Sequence, residues 1–155
     1  MIGCVGIILP KSSIAYIDVS FFVHATEDLE KVTRAVQNAV STDFAEKITF
    51  KKSKLKGDRG NPIIFFKTRI EMEEIAEPLL EYISSRLSAL DKEKLLRELS
   101  LHLEKGSLYM RLDKQAAFKG DLRLYAGDPI HLRIRFRKRR EEEIVKICRE
   151  LGLLP

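Results

Sequence analysis

The chain has no tryptophan, three histidines and two cysteines in 155 residues, and these shortages remove several kinds of chemistry together. His24, His102 and His131 are far apart, with no HxH or HExxH spacing, so no zinc site is expected. Cys4 and Cys148 form no CxxC pair, which speaks against a disulfide framework and for buried or free thiols in a reducing interior. Neither has an activating histidine nearby in sequence, and GxSxG, the P-loop pattern and a GxGxxG after a strand are all missing. No cofactor and no bound metal are expected, and the chain does not read as an enzyme. Apolar runs are also short. None approaches the ~18 residues that span a bilayer, and residues 1–9, MIGCVGIIL, lack a basic leader and a small-residue cleavage site. The expectation is a cytoplasmic protein without a membrane partner. Residues 1–10 are left open as an extra strand, a loose arm or an upstream start.

What is present is a basic run near the end, IHLRIRFRKRR from Ile130 to Arg140. At period two, Ile130, Leu132, Ile134 and Phe136 share one face and His131, Arg133, Arg135 and Arg137 the other. Strict alternation of this kind marks a half-buried strand, because successive side chains point to opposite sides of a sheet. Such a strand seals its apolar face against a core and fixes guanidinium groups on the solvent face, where they attract polyanions. An exposed cationic strand also protects a sheet edge from unwanted pairing.

At 155 residues one domain spanning 1–155 is expected, large enough to bury roughly 70% of its unfolded surface. Ile14–His24 is dense in β-formers and reads as a strand with both faces partly covered. Thr26 is a good N-cap for a helix whose stripe is Leu29, Val32, Val36, Ala39 and Val40. Strands at 48–55 and 63–70 flank a turn, GDRGNP, at 57–62. The period then becomes 3.6 from Glu71 to about Leu90, with a kink or break expected at Pro78. Asp91 is the expected cap of a further helix that stops at Gly106. Strands at 108–112, 121–125 and 130–137 follow, the last two joined by the turn 126–129, and a final helix runs from near Arg140 to Gly152. Hairpins in place of steady βα alternation predict an α+β fold, a largely antiparallel sheet with helices packed on one side and the other side open.

Charge is segregated along this order. Residues 47–69 carry 8 basic and 1 acidic side chains and residues 106–140 carry 10 and 3, whereas 1–46, 70–105 and 141–155 are each net acidic. The strands are basic and the helices acidic, so the overall charge of +5 hides a polarised surface. Alternation in 108–112 and 121–125 turns Tyr109, Arg111, Arg123 and Tyr125 outward, to join His131, Arg133, Arg135 and Arg137 on one face. Tyrosines among arginines suit RNA, since aromatic planes stack on splayed bases while guanidiniums hold phosphates. The competing reading is a solvated sheet face.

The stretches YIDVSFFVHATED (16–28), GDRGNPIIFF (57–66) and RLDKQAAFKG (111–120), in that order, resemble a family of small archaeal RNA-binding or predicted exosome-associated proteins. The likeness runs from about Tyr16 to Arg137. It implies a fold like the fifth large-subunit ribosomal protein, a homodimer, RNA as partner and exosome components as further partners. The matching positions are His24, Thr26, Gly60, Asn61, Pro62, Arg111, Asp113, Lys114, Gln115, Phe118 and Gly120. Gly60-Asn61-Pro62 is most simply a turn needing unusual backbone angles. In the 113–120 connection Phe118 is expected to plug the core, while Lys114, Gln115 and Lys119 reach outward. The RNA-binding set expected is therefore Tyr109, Arg111, Lys114, Gln115, Arg123, Tyr125, Arg133, Arg135 and Arg137. Two other readings stand beside it. Asp18, Asp113 and Asp121 converging on Mg²⁺ would make a metal-dependent nuclease, and the leucine-bearing middle would make a dimeric protein–protein scaffold.

Overall fold

The computed structural model describes residues 12–125 and 127–155. The apolar stretch 1–10 with Cys4, and Ala126 of the 126–129 turn, lie outside the described residues. The elements run β1 (Ile14–His24), α1 (Leu29–Ala39), α2 (Thr42–Ala45), β2 (Lys51–Lys56), β3 (Pro62–Ile70) and α3 (Glu73–Arg86). They continue with α4 (Ala89–Arg97), α5 (Leu99–His102), β4 (Leu103–Glu104), β5 (Ser107–Leu112), α6 (Lys114–Phe118), β6 (Ile130–Phe136) and α7 (Glu141–Glu150). The strands form one six-stranded sheet in the order β2-β3-β1-β6-β5-β4, and every pairing is antiparallel. The fold is α+β.

Alternation sorts the two faces. Ile17, Val19, Phe21 and Val23 of β1 and Ile130, Leu132, Ile134 and Phe136 of β6 are buried. They share one hydrophobic cluster with Val32, Ala35, Val36 and Ala39 of α1, Ile75, Ala76, Leu79, Leu80 and Ile83 of α3, and Ile144 and Cys148 of α7. Burying each large side chain stabilises by about 1.5–3 kcal/mol, so the pairing register of the central strands is held by the core. A slip by one residue would drive His131, Arg133 and Arg135 into that cluster. Burial alone pushes the Cys148 thiol up to about 12, so it is an un-ionised core side chain and not a nucleophile.

Several boundaries differ from those expected. Asp28, not Thr26, caps α1, its Oδ1 accepting from Glu30 N at 2.9 Å. A turn at 24–27, closed by Glu27 N donating to His24 O, delays the helix start. Pro78 lies inside a continuous α3. It removes only the bond to the Glu74 carbonyl, and both residues face water. The break falls later, where Leu87 is extended and Ser88 Oγ caps α4 by accepting from Asp91 N. Asp91 itself accepts from Leu124 N at 3.1 Å. The expected strand 121–125 reduces to a single bridge, Leu112 to Leu124. That segment returns along the outer edge of β5 and does not lie between β5 and β6, which pair directly. The 57–62 turn is as read, with Gly60 at φ 76°. Phe118 packs against the core. The connection at 113–120 is the short α6, capped by Asp113 and packed on α1 through Asn38 Nδ2 to Ala117 O at 2.8 Å.

Candidate functional site

The face of the sheet opposite α1, α3 and α7 carries every second residue of the central strands. In register across it lie Arg69 of β3, Asp18 of β1, Arg133 of β6 and Tyr109 of β5. The next row holds Lys51, Lys67, Ser20, His131 and Arg111. The α4–α5 segment stands along one side, so the face is a trough of about 890 Å³ walled by Glu98, Leu101 and His102 and closed at its rim by Tyr125.

Asp18 is buried at the centre of this face and receives Arg69 in a two-pronged pair, Nε to Oδ1 at 2.8 Å and Nη2 to Oδ2 at 3.1 Å. The hydrogen bond to Asp18 raises the Arg69 pKa further above its ordinary value. Its guanidinium lies 3.9 Å from the centre of the Tyr16 ring. Arg133 lies between Tyr16 and Tyr109, 5.8 and 5.7 Å from their ring centres, and its Nε donates to Ser107 Oγ at 3.2 Å. Two guanidiniums and two phenol rings thus alternate over one carboxylate, an arrangement that holds the cations flat and leaves one positive charge uncompensated. Tyr109 is 41% and Tyr125 49% exposed. A side chain added at Gly127 would run into the Tyr125 ring, so that glycine leaves the ring its place at the rim. Burial pulls the His131 imidazole below its ordinary value near 6.5, the adjacent Arg111 and then Lys114 push the same way, and Asp128 opposes them. The balance favours the neutral imidazole in the free protein.

Of the residues expected from sequence, Tyr109, Arg111, Arg133 and Arg135 share this face, and Tyr125 joins at the rim. Arg135 is half-buried because its Nη1 turns back to the Lys105 carbonyl. Four do not belong to the trough. Arg123 is exposed on the segment along the β5 edge. Arg137 follows the last residue of β6, and its guanidinium goes to the Ser12 carbonyl at 2.8 Å and to Glu73 at the start of α3. Gln115 is exposed on α6, on the helical side. Lys114 does not reach outward. It is 7% exposed, and its Nζ donates to Phe22 O at 2.5 Å, Asp128 Oδ2 at 2.8 Å and Glu27 Oε1 at 3.3 Å. Five residues of the face escaped the sequence reading: Tyr16, Ser20, Lys51, Lys67 and Arg69. The signal was there as period two in Tyr16, Asp18, Ser20 and in Lys67, Arg69.

The aspartates of the nuclease reading have separate tasks. Asp18 is paired with Arg69, Asp113 caps α6, and Asp121 is exposed. Among the described residues the one grouping of metal-ligating atoms is His24, Glu27 and Asp128. The Lys114 ammonium lies between both carboxylates, and His24 Nε2 lies 2.9 Å from Asp128 Oδ2, so the charge a cation would supply is already provided. This cluster joins the first and third sequence motifs to the turn before β6.

An antiparallel sheet sealed by helices on one face and showing arginine and tyrosine on the other defines an open-faced α+β protein. A family model described as RNA binding matches residues 16–136, and the chain belongs to that family. It is 34% identical over 145 residues to an uncharacterized protein of Methanocaldococcus jannaschii, covering 88% of this chain and 97% of that one. It is 33% identical over 134 residues to a protein of Pyrococcus abyssi named as RNA-binding, covering 83% and 87%. A solved structure of a DUF54 protein from Archaeoglobus fulgidus superposes with a TM-score of 0.74 at 28% identity, over 89% of this chain and 99% of that one.

Replacing Lys114 by methionine keeps the stem but strands the Phe22 carbonyl and sets Glu27 beside Asp128 without a cation. Because Asp128 is partly solvated, the loss expected is about 1–3 kcal/mol of unfolding free energy. Urea denaturation of the two proteins measures it, and an unchanged midpoint would show the cluster to be dispensable.

Proposed function

We propose that this protein binds RNA in the trough on the open face of its sheet and catalyses no reaction there. The observation that carries the reading is the alternation of Arg69, Tyr16, Arg133 and Tyr109 over Asp18 on the sheet face opposite α1, α3 and α7, walled along one side by α4–α5. Membership of a family described as RNA binding supports it independently. Arg111, Arg135 and Lys67 supply unpaired or singly engaged cations for phosphates, while Tyr109 and Tyr125 offer planes to unstacked bases. Bases splayed over rings require single-stranded or looped RNA. The reading includes a single-domain cytoplasmic homodimer serving RNA processing, with exosome components as partners. The homodimer, the RNA processing and the exosome partners rest on the family resemblance of the three motifs, the single domain on chain length, and the location on cysteine usage. Two copies would double the cationic surface and raise avidity for a long RNA without new contacts.

If about three to four phosphates are neutralised, log affinity for single-stranded RNA falls with log salt at a slope of roughly −2 to −3. Fluorescence anisotropy over a salt series gives the slope, and replacing Arg111 and Arg133 by alanine should flatten it. A salt-independent affinity would remove the electrostatic account.

His131 adds a pH dependence. A phosphate against the imidazole favours its protonated form, so binding takes up a proton. Affinity therefore rises as pH falls toward the lowered free-state pKa, by at most about tenfold per unit for one proton. The charged groups facing it are Arg111, Lys114 and Asp128. The same anisotropy series across pH, with His131→Gln as control, should show the slope only in the parent protein. Equal slopes in both would assign it to another group.

A further inference from the structure

The hairpin of β2 and β3 carries charge that the trough does not use. Lys51, Lys52, Lys54, Lys56 and Arg59 stand in it with Asp58 as the sole acid from 51 to 66. Every residue of β2 is exposed, and none of these cations has an ion pair or side-chain hydrogen bond among the described residues. Lysine on an edge strand guards against pairing with other chains, and one or two would do that. Here alternation divides them between both faces. Lys51 sits opposite Lys67 on the trough side, where two like charges side by side cost stability unless an anion lies between them. Lys52, Lys54 and Lys56 project from the other side, opposite Phe66, Ile64 and Pro62.

The Lys51 to Arg111 row crosses five strands, roughly 19 Å at the usual strand spacing. A strand of RNA following that row out of the trough arrives at the β2 edge. From the geometry we infer that the β2–β3 hairpin is a second RNA site, in which Lys52, Lys54 and Lys56 hold phosphates of a segment that has passed over the edge. This inference rests on the RNA-binding reading of the trough and adds a length requirement to it. A short oligonucleotide fills the trough alone, whereas a longer one wraps the hairpin as well.

The test uses fluorescein-labelled oligouridylates of about 6 and about 24 nucleotides, sizes on either side of a typical single-strand site. Lys52, Lys54 and Lys56 are changed together to glutamine, and in a companion variant to arginine. The glutamine variant should bind the short RNA like the parent. It should lose on the order of tenfold on the long one, with a salt slope shallower by about 2. The arginine variant should retain binding to both. An unchanged affinity for the long RNA, or an equal loss on both lengths, overturns the hairpin site while leaving the trough intact. A parent protein that binds neither RNA overturns the trough reading and the hairpin with it. Circular dichroism melting of all three proteins, expected to superimpose because β2 is exposed throughout, separates binding from folding.

Discussion

The constraint on which the structure depends is the sealing of one face of β1 and β6. These two strands occupy the middle of the sheet, and their inner side chains are packed under α1, α3 and α7. Side chains in a strand alternate, so whatever the intervening residues are, they must stand on the opposite face. Hydrophobic burial on one side therefore supplies the rigidity with which Arg133, Arg135 and His131 are held on the other. The binding surface needs no loop to organise it. It is the reverse of the core.

A face so crowded with guanidiniums would repel itself without compensation. Asp18 provides it from the centre, at the cost of a nearly buried carboxylate that only Arg69 and its neighbours make tolerable. Tyr16 then separates the two arginines with a polarizable ring, and Tyr109 flanks Arg133 on its other side. The outcome is a surface still positive, but with its cations pre-ordered, so less side-chain freedom is lost when an anion arrives. Near the far end the polarity changes. Phe22 and Phe65, with ring centres 4.8 Å apart, bridge from the trough toward the hairpin. Cations and aromatics are thus interleaved along the whole open face.

Much of this was legible in sequence wherever one residue type alternated strictly. IHLRIRF admits one reading, and β6 with its arginine face follows. β1 was harder, because FF at 21–22 breaks the alternation and makes the strand look buried on both sides, hiding Tyr16 and Ser20. Arg137 continues the pattern of Arg133 and Arg135, but pairing ends at Phe136 and nothing local marks the last paired residue. Lys114 shows the limit most plainly. Its one neighbouring carboxylate, Asp113, is occupied in capping α6, while its partners Glu27 and Asp128 come from segments 87 and 14 residues away. A lysine that looks available from its surroundings in the chain is consumed by contacts that only the fold creates. The 121–125 segment had correct leucine spacing and still made a single bridge, because the α6 turn returns it along the edge of β5 and not into the sheet.

The account comes down to which surface meets RNA. Ultraviolet crosslinking of the protein to uridine-rich RNA, followed by peptide mapping, reads that surface without altering a residue. Crosslinks should concentrate on the peptides holding Tyr16, Tyr109, Tyr125 and His131. Crosslinks confined to α1, α3 or α7 would place RNA on the helical side and contradict the account.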